Sequence, residues 1–261
     1  MSPGYGGVLL VAAPLFLAAP VRAAVLPECA GPVEIASAQI ERVEKNGVLI
    51  LRDGRAAHLE GVRLPAGARD HAPQFIADQA LAALSDFTVG HRLNLAALPP
   101  KEDRYDRVRS QIFDGRSWIQ LELLKRGLAR VSIAPDRIEC ASEFYSAEAQ
   151  ARAAHAGLWS SSAYAIRSTG HLAGDLGTFQ IVEGRVLSAT VRDGQAWLYF
   201  DTGPGGHFAA TITSEDLRTY RLMGVDPRGY AGRLLRVRGV VQNLGGLAIA
   251  IANPIQVEVI Q

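Results

Sequence analysis

The chain has 261 residues, of which 48% are apolar and 20% charged, with a formal net charge of +1. That apolar fraction can fill one large core or two small ones and excludes disorder as the main state. The near-zero charge excludes a general electrostatic attraction to nucleic acid, while leaving room for a local basic patch.

The predicted elements begin with residues 7–20, an apolar run shorter than the roughly 20 residues that cross a bilayer. Val21 and Ala23 fit the small-residue pattern of a cleavage point, so residues 1–23 read as a secretory signal peptide cut after Ala23. No Lys or Arg precedes the run, and an uncleaved anchor or a misassigned start are the alternatives; Pro14 and Pro20 weigh against a membrane helix. An exported protein, periplasmic or extracellular and with no membrane span after signal cleavage, is the expectation. In such a compartment Cys29 and Cys140 can pair as a disulfide joining the N-terminal arm (residues 24–37) to a late helix. Two free thiols are the alternative, and there is no Cys/His spacing of the kind that holds zinc.

Residues 35–51 alternate apolar and polar side chains around Glu44-Lys45-Asn46-Gly47, which reads as a hairpin. A third strand is expected at 57–62, a helix at 74–84, strands at 91–95 and 109–113, and a helix at 118–126 stopped by Gly127. A strand at 128–133 and an alanine-rich helix at 142–155, ended by Gly157, complete this part. Residues 161–177 are rich in Ser, Ala and Gly and read as a linker. From 178 onward, strands are expected at 179–189, 196–200, 208–212, 234–241, 247–251 and 255–260. One helix at 214–223, capped by Ser214, interrupts them, so a small closed barrel is predicted over 178–261.

Four phrases stand in a recognisable order. They are Ala57-His58-Leu59-Glu60-Gly61-Val62-Arg63-Leu64-Pro65; Asp103-Arg104-Tyr105-Asp106-Arg107; Trp118-Ile119-Gln120 followed by Leu123 through Val131; and Glu148 through Arg152 leading to Gly157-Leu158-Trp159-Ser160. Together they resemble the thermonuclease-like (staphylococcal nuclease, SNase-like) family over residues 38–160. The resemblance implies an OB-type five-stranded barrel with accompanying helices. It also implies calcium-dependent phosphodiester hydrolysis, with a water-orienting glutamate and two arginines on the phosphate. The residues 178–261 look like the OB-fold-like modules that follow such domains. The expected fold class is therefore mainly β with helices (α+β), as two tandem OB-type barrels, the first SNase-like.

Most positions that carry the family's chemistry are replaced. Asn46 stands at the first metal-ligating aspartate, His58 at the first arginine, Arg63 at the second aspartate and Ala66 at the glutamate; Arg107 keeps the second arginine. A guanidinium about 4 Å from a divalent ion would be repelled by at most roughly 8 kcal/mol at an effective dielectric near 20, and Ala66 orients no water. In the second barrel, Trp197 and Tyr199 are expected to point outward and stack bases, with Arg233, Arg236 and Arg238 meeting phosphates. Cross-strand packing of the same aromatics against the linker or the first domain is the alternative. The expectation is a catalytically degenerate binding module for nucleic acid (DNA or RNA) or an envelope protein, without a cofactor. The alternatives are an active metal-dependent nuclease with a rearranged site, to which calcium would belong, and an envelope scaffold with no nucleic-acid role.

Overall fold

In this computed structural model the described residues are Met1, 26–200 and 207–260. The expected signal peptide beyond Met1, its cleavage point, and the predicted turn at 203–206 lie outside them. Strands β1 (Val33–Val43), β2 (Leu49–Leu51) and β3 (Ala56–Leu59) form an antiparallel meander, followed by the short β4 (Val62–Arg63) and helix α1 (Gln74–Thr88). Then come β5 (Arg92–Ala96), β6 (Arg107–Asp114), β7 (Ser117–Trp118), α2 (Ile119–Lys125), β8 (Arg130–Val131) and α3 (Ala141–Ala153). β5 pairs with β1, β6 pairs with β5, and β6 returns parallel to β3, so five strands close into a barrel. Closure removes exposed edges. β6 is buried along nearly its whole length because the barrel interior covers one face and the helices and N-terminal arm cover the other.

The rest of the chain repeats this plan. β9 (Arg167–Ser168), β10 (Phe179–Arg192), β11 (Gln195–Phe200), β12 (Phe208–Ile212), β13 (Leu234–Asn243), β14 (Leu247–Ala250) and β15 (Val257–Val259) form one sheet, with helix α4 (Asp216–Leu222) between β12 and β13. β10 pairs with β11 and β13, β11 with β12, and β12 runs parallel to β14, which pairs with β13. In each half the first strand pairs with the second and fourth, the third runs parallel to the fifth, and a helix joins the third to the fourth. That is the strand order of an OB fold, and the fold class expected from sequence is the one observed. A separate apolar core fills each barrel.

Several local expectations need correction. Residues 161–177 are not a bare linker: they carry β9, which pairs parallel with β10, and two short 3-10 turns. The strand expected over 128–133 shrinks to Arg130–Val131, and that expected over 255–260 starts with a 3-10 turn at Pro254–Gln256. Ser214 does not cap α4; Thr213 Oγ1 accepts the Asp216 N–H at 3.2 Å instead. Gly157 does not end α3, because His155 takes the left-handed position (φ 50°). Gly157 is required for a different reason: a Cβ there would lie 2.3 Å from the Gly127 carbonyl oxygen, and one on Gly127 would lie 2.0 Å from that of Ala156. Gly127 does end α2, at φ 63°, with Leu128 N–H donating to Leu123 C=O in a Schellman arrangement.

Cys29 and Cys140 form a disulfide that closes a sequence separation of 111 residues and fastens the arm to the start of α3. The two barrels meet along a polar seam. Arg130 of the first donates to Asp70 (2.9 Å) and to the Phe179 carbonyl of β10 (2.7 Å), while Tyr164 Oη donates to Asp70 at 3.1 Å. Further along, Arg238 of β13 donates to Glu148 of α3 (2.9 Å), to the Val131 carbonyl (3.2 Å) and to Glu258 (2.5 Å).

Candidate functional site

The loop after β1, the strand β3 and the segment from β4 to residue 69 surround a cavity of about 390 Å³. Asn46, His58, Arg63, Ala66 and Arg107 all line it, so the structure gathers every family position named from the sequence in one place. On β3, Ala57 and Leu59 are buried in the barrel, and period-two alternation turns His58 the other way, to the cavity. Asn46 sits in the turn between β1 and β2, where its Oδ1 accepts the Val48 N–H at 3.0 Å. That carbonyl oxygen is therefore already engaged in closing the turn.

Arg107 is held by Asp103: its Nε donates to Oδ2 at 2.8 Å, its Nη2 lies 2.5 Å from the same oxygen, and its guanidinium lies 4.9 Å from the Tyr105 ring centre. Burial raises the Asp103 carboxyl, but the Arg107 side chain and the Tyr105 and Arg107 amides outweigh it and hold the group down at about 2. Asp106 adopts φ 56°, a left-handed conformation that favours glycine. Burial pushes the His58 imidazole below its ordinary value against the pull of Glu60, and Arg107 lowers it further. His58 is therefore neutral at pH 7.

Two cavity residues were not foreseen. Lys45 and Arg69 join Arg63 and Arg107, giving four cationic side chains, and the lining includes no aspartate or glutamate. The signal for them lay in their neighbours, since each is within three residues of a family position. Glu60 and Asp70, carboxylates close in sequence to these positions, are both buried. Glu60 accepts from Arg109 Nε at 2.7 Å, and Arg109 in turn donates two bonds to Asp136. Asp70 accepts the Ala66 N–H at 2.8 Å as well as Arg130. The carboxylates around the cavity are thus engaged by arginines, while Arg63 lies 5.5 Å from the Phe179 ring centre with its buried Nε lacking a hydrogen-bond partner.

Calcium is bound by several oxygen ligands with carboxylates prominent among them. A cavity lined by Lys45, Arg63, Arg69 and Arg107 and by no carboxylate does not fit that ion.

In the second barrel, Leu198 and Phe200 are buried while Tyr199 is exposed and Trp197 half-buried, as alternation required. The Trp197 and Tyr199 rings are nearly parallel, 6.2 Å apart. Arg233 is exposed. The expected phosphate contact of Arg238 is corrected: the residue is fully buried in the seam, where Glu148, Glu258 and the Tyr145 ring surround it. Arg236 is half-buried and bridges Glu183 and Glu258.

The first barrel has OB strand order and carries a cavity lined by the family positions. The family model of staphylococcal nuclease homologues matches residues 57–161, so this chain carries a staphylococcal nuclease-like domain. That family is one of nucleases and nucleic-acid binders. No curated protein matches the chain. Among the described residues, no helix is long and apolar enough to cross a membrane.

Proposed function

We infer that the chain is an exported, catalytically degenerate nuclease-like protein that binds nucleic acid through the former cleavage cavity. The observation that carries this reading is the lining itself: four cationic side chains, a neutral histidine and no carboxylate. Such a lining attracts a phosphate and offers no carboxylate to orient a hydrolytic water. The Cys29–Cys140 bridge supports export, because disulfides persist in oxidising compartments. Trp197, Tyr199 and Arg233 offer a second, smaller contact surface on the other barrel.

The test is a calcium-supplemented nuclease assay alongside filter binding of single-stranded DNA. No cleavage is expected beyond that of an Arg107→Ala variant. Binding is expected to weaken with salt at a log–log slope of about −2 to −3, the value for three or four neutralised phosphates. Robust calcium-dependent cleavage that Arg107→Ala abolishes overturns the reading in favour of a working nuclease. Absence of DNA binding at low salt overturns it in favour of an envelope scaffold.

A further inference from the structure

The cavity conflicts with the family's metal, and the conflict has a chemical direction. Where a nuclease of this family places a carboxylate to hold a cation, this chain places a cation, Arg63, directly. We propose that the guanidinium of Arg63 takes over the electrostatic role of the missing ion, so that the cavity binds a phosphate group without any divalent metal, and that the second barrel holds Arg63 in place through Phe179. This rests on the anion-binding reading of the same cavity and specifies how the charge is supplied.

Three observations converge. Lys45, Arg63 and Arg69 face one cavity, and none of the three has an ion pair among the described residues. The neighbouring buried or half-buried carboxylates Glu60, Asp70 and Asp103 are already bound by Arg109, Arg130 and Arg107. Positive charge therefore accumulates in the cavity with no internal counter-charge on its wall, and an anion relieves that repulsion. The planar guanidinium also matches two phosphate oxygens at once, which a lysine in that position would not.

The third observation concerns position. An arginine side chain in an open cavity has many rotamers, and holding one orientation costs entropy. Here Phe179, the first residue of β10, packs its ring against Arg63 (5.5 Å) and against Arg130 (5.0 Å), while Gly177 completes the cavity wall. Phe179 is itself buried and is fixed by the Arg130 bond to its carbonyl. The second barrel thus contributes part of a site whose named residues all belong to the first. Phe179 is a positioning residue, since it acts on the anion through Arg63.

The experiment is calorimetric titration of the full chain with a 5′-phosphorylated thymidine dinucleotide, once in EDTA and once in calcium. The same affinity in both is expected. Arg63→Gln is expected to weaken binding about tenfold or more, the loss of one charge-assisted contact. Phe179→Leu is expected to weaken it about threefold, by loss of a cation–π contact, with thermal unfolding monitored to show that the fold persists. Substitution of Arg126, which lies on the first domain away from the cavity lining, is the charge control and should change nothing. Binding that appears only with calcium, or that survives Arg63→Gln unchanged, overturns the proposal. If single-stranded DNA still binds while Arg63→Gln has no effect, the nucleic-acid reading stands and the role given to Arg63 falls. If neither ligand binds, both fall.

Discussion

Replacing Arg238 by Met removes one side of the buried seam while preserving most of its volume. Arg238 and Glu148 are each about 1% exposed as side chains, and their guanidinium–carboxylate contact is 2.9 Å. Removing one partner of a buried ion pair costs about 3–5 kcal/mol, because the other charge is left desolvated and unmatched. Three features of this site place the effect at the low end. Glu148 retains the Val131 N–H at 2.7 Å and Arg152 at 3.4 Å. Glu258 is partly solvated and retains Arg236. Arg238 Nε is buried without a partner, so its removal also relieves a penalty. The net expectation is a loss of about 3 kcal/mol. Urea unfolding followed by tryptophan fluorescence and by circular dichroism measures it. The double variant Arg238→Met with Glu148→Met should recover part of the loss, because the unmatched carboxylate is gone while the Val131 N–H is left without its acceptor. A single-variant change below about 1 kcal/mol would show that the seam is hydrated and would refute the reasoning.

Further outcomes are expected from the same structure. Reducing the Cys29–Cys140 bridge releases a loop of 111 residues' separation, worth about 4–5 kcal/mol in the loop-entropy treatment; an unchanged melting temperature in reductant would contradict it. Gly157→Ala should destabilise by about 2 kcal/mol or more, since its Cβ would meet the Gly127 carbonyl. His155→Gly, at φ 50°, should instead stabilise by about 0.5–1 kcal/mol, and equal signs in thermal melts would refute the assignment of the helix end. Sulfate, whose charge is fixed in this range, should bind more tightly as pH falls below 6.5, when His58 gains a proton among Glu60, Asp103, Arg107 and Arg109. His58→Gln should flatten that profile. Because burial depresses the folded value, the unfolded chain takes up the proton first, so His58 should also make stability decline as pH drops below 6.5.

The barrel strands were legible because alternation and turn signals are local. Leu198 and Phe200 inward, with Trp197 and Tyr199 outward, follow from period two alone. The positions of Asn46, His58, Arg63, Ala66 and Arg107 around one cavity followed from the family phrases. What stayed hidden depends on distant partners. Arg238 looks like a surface cation until Glu148, ninety residues away in sequence, is packed beside it. Asp70 looks like a solvated carboxylate until Arg130 and Tyr164 close on it. Gly157 reads as a helix stop, and only the approach of residue 127 reveals its true constraint. A short strand such as β9 carries too few residues to show a period at all.

The matched segment ends at residue 161, yet Asp70 and Arg130 inside it are completed by Tyr164 and by the carbonyl of Phe179 beyond it. At the other side, β1 and β2, which the barrel needs for closure, precede residue 57. A protein cut at those limits would be missing two staves of its barrel and would expose a carboxylate and a guanidinium built for the interior. The stretch recognised by descent and the stretch able to stand alone in water are thus different lengths of the same chain.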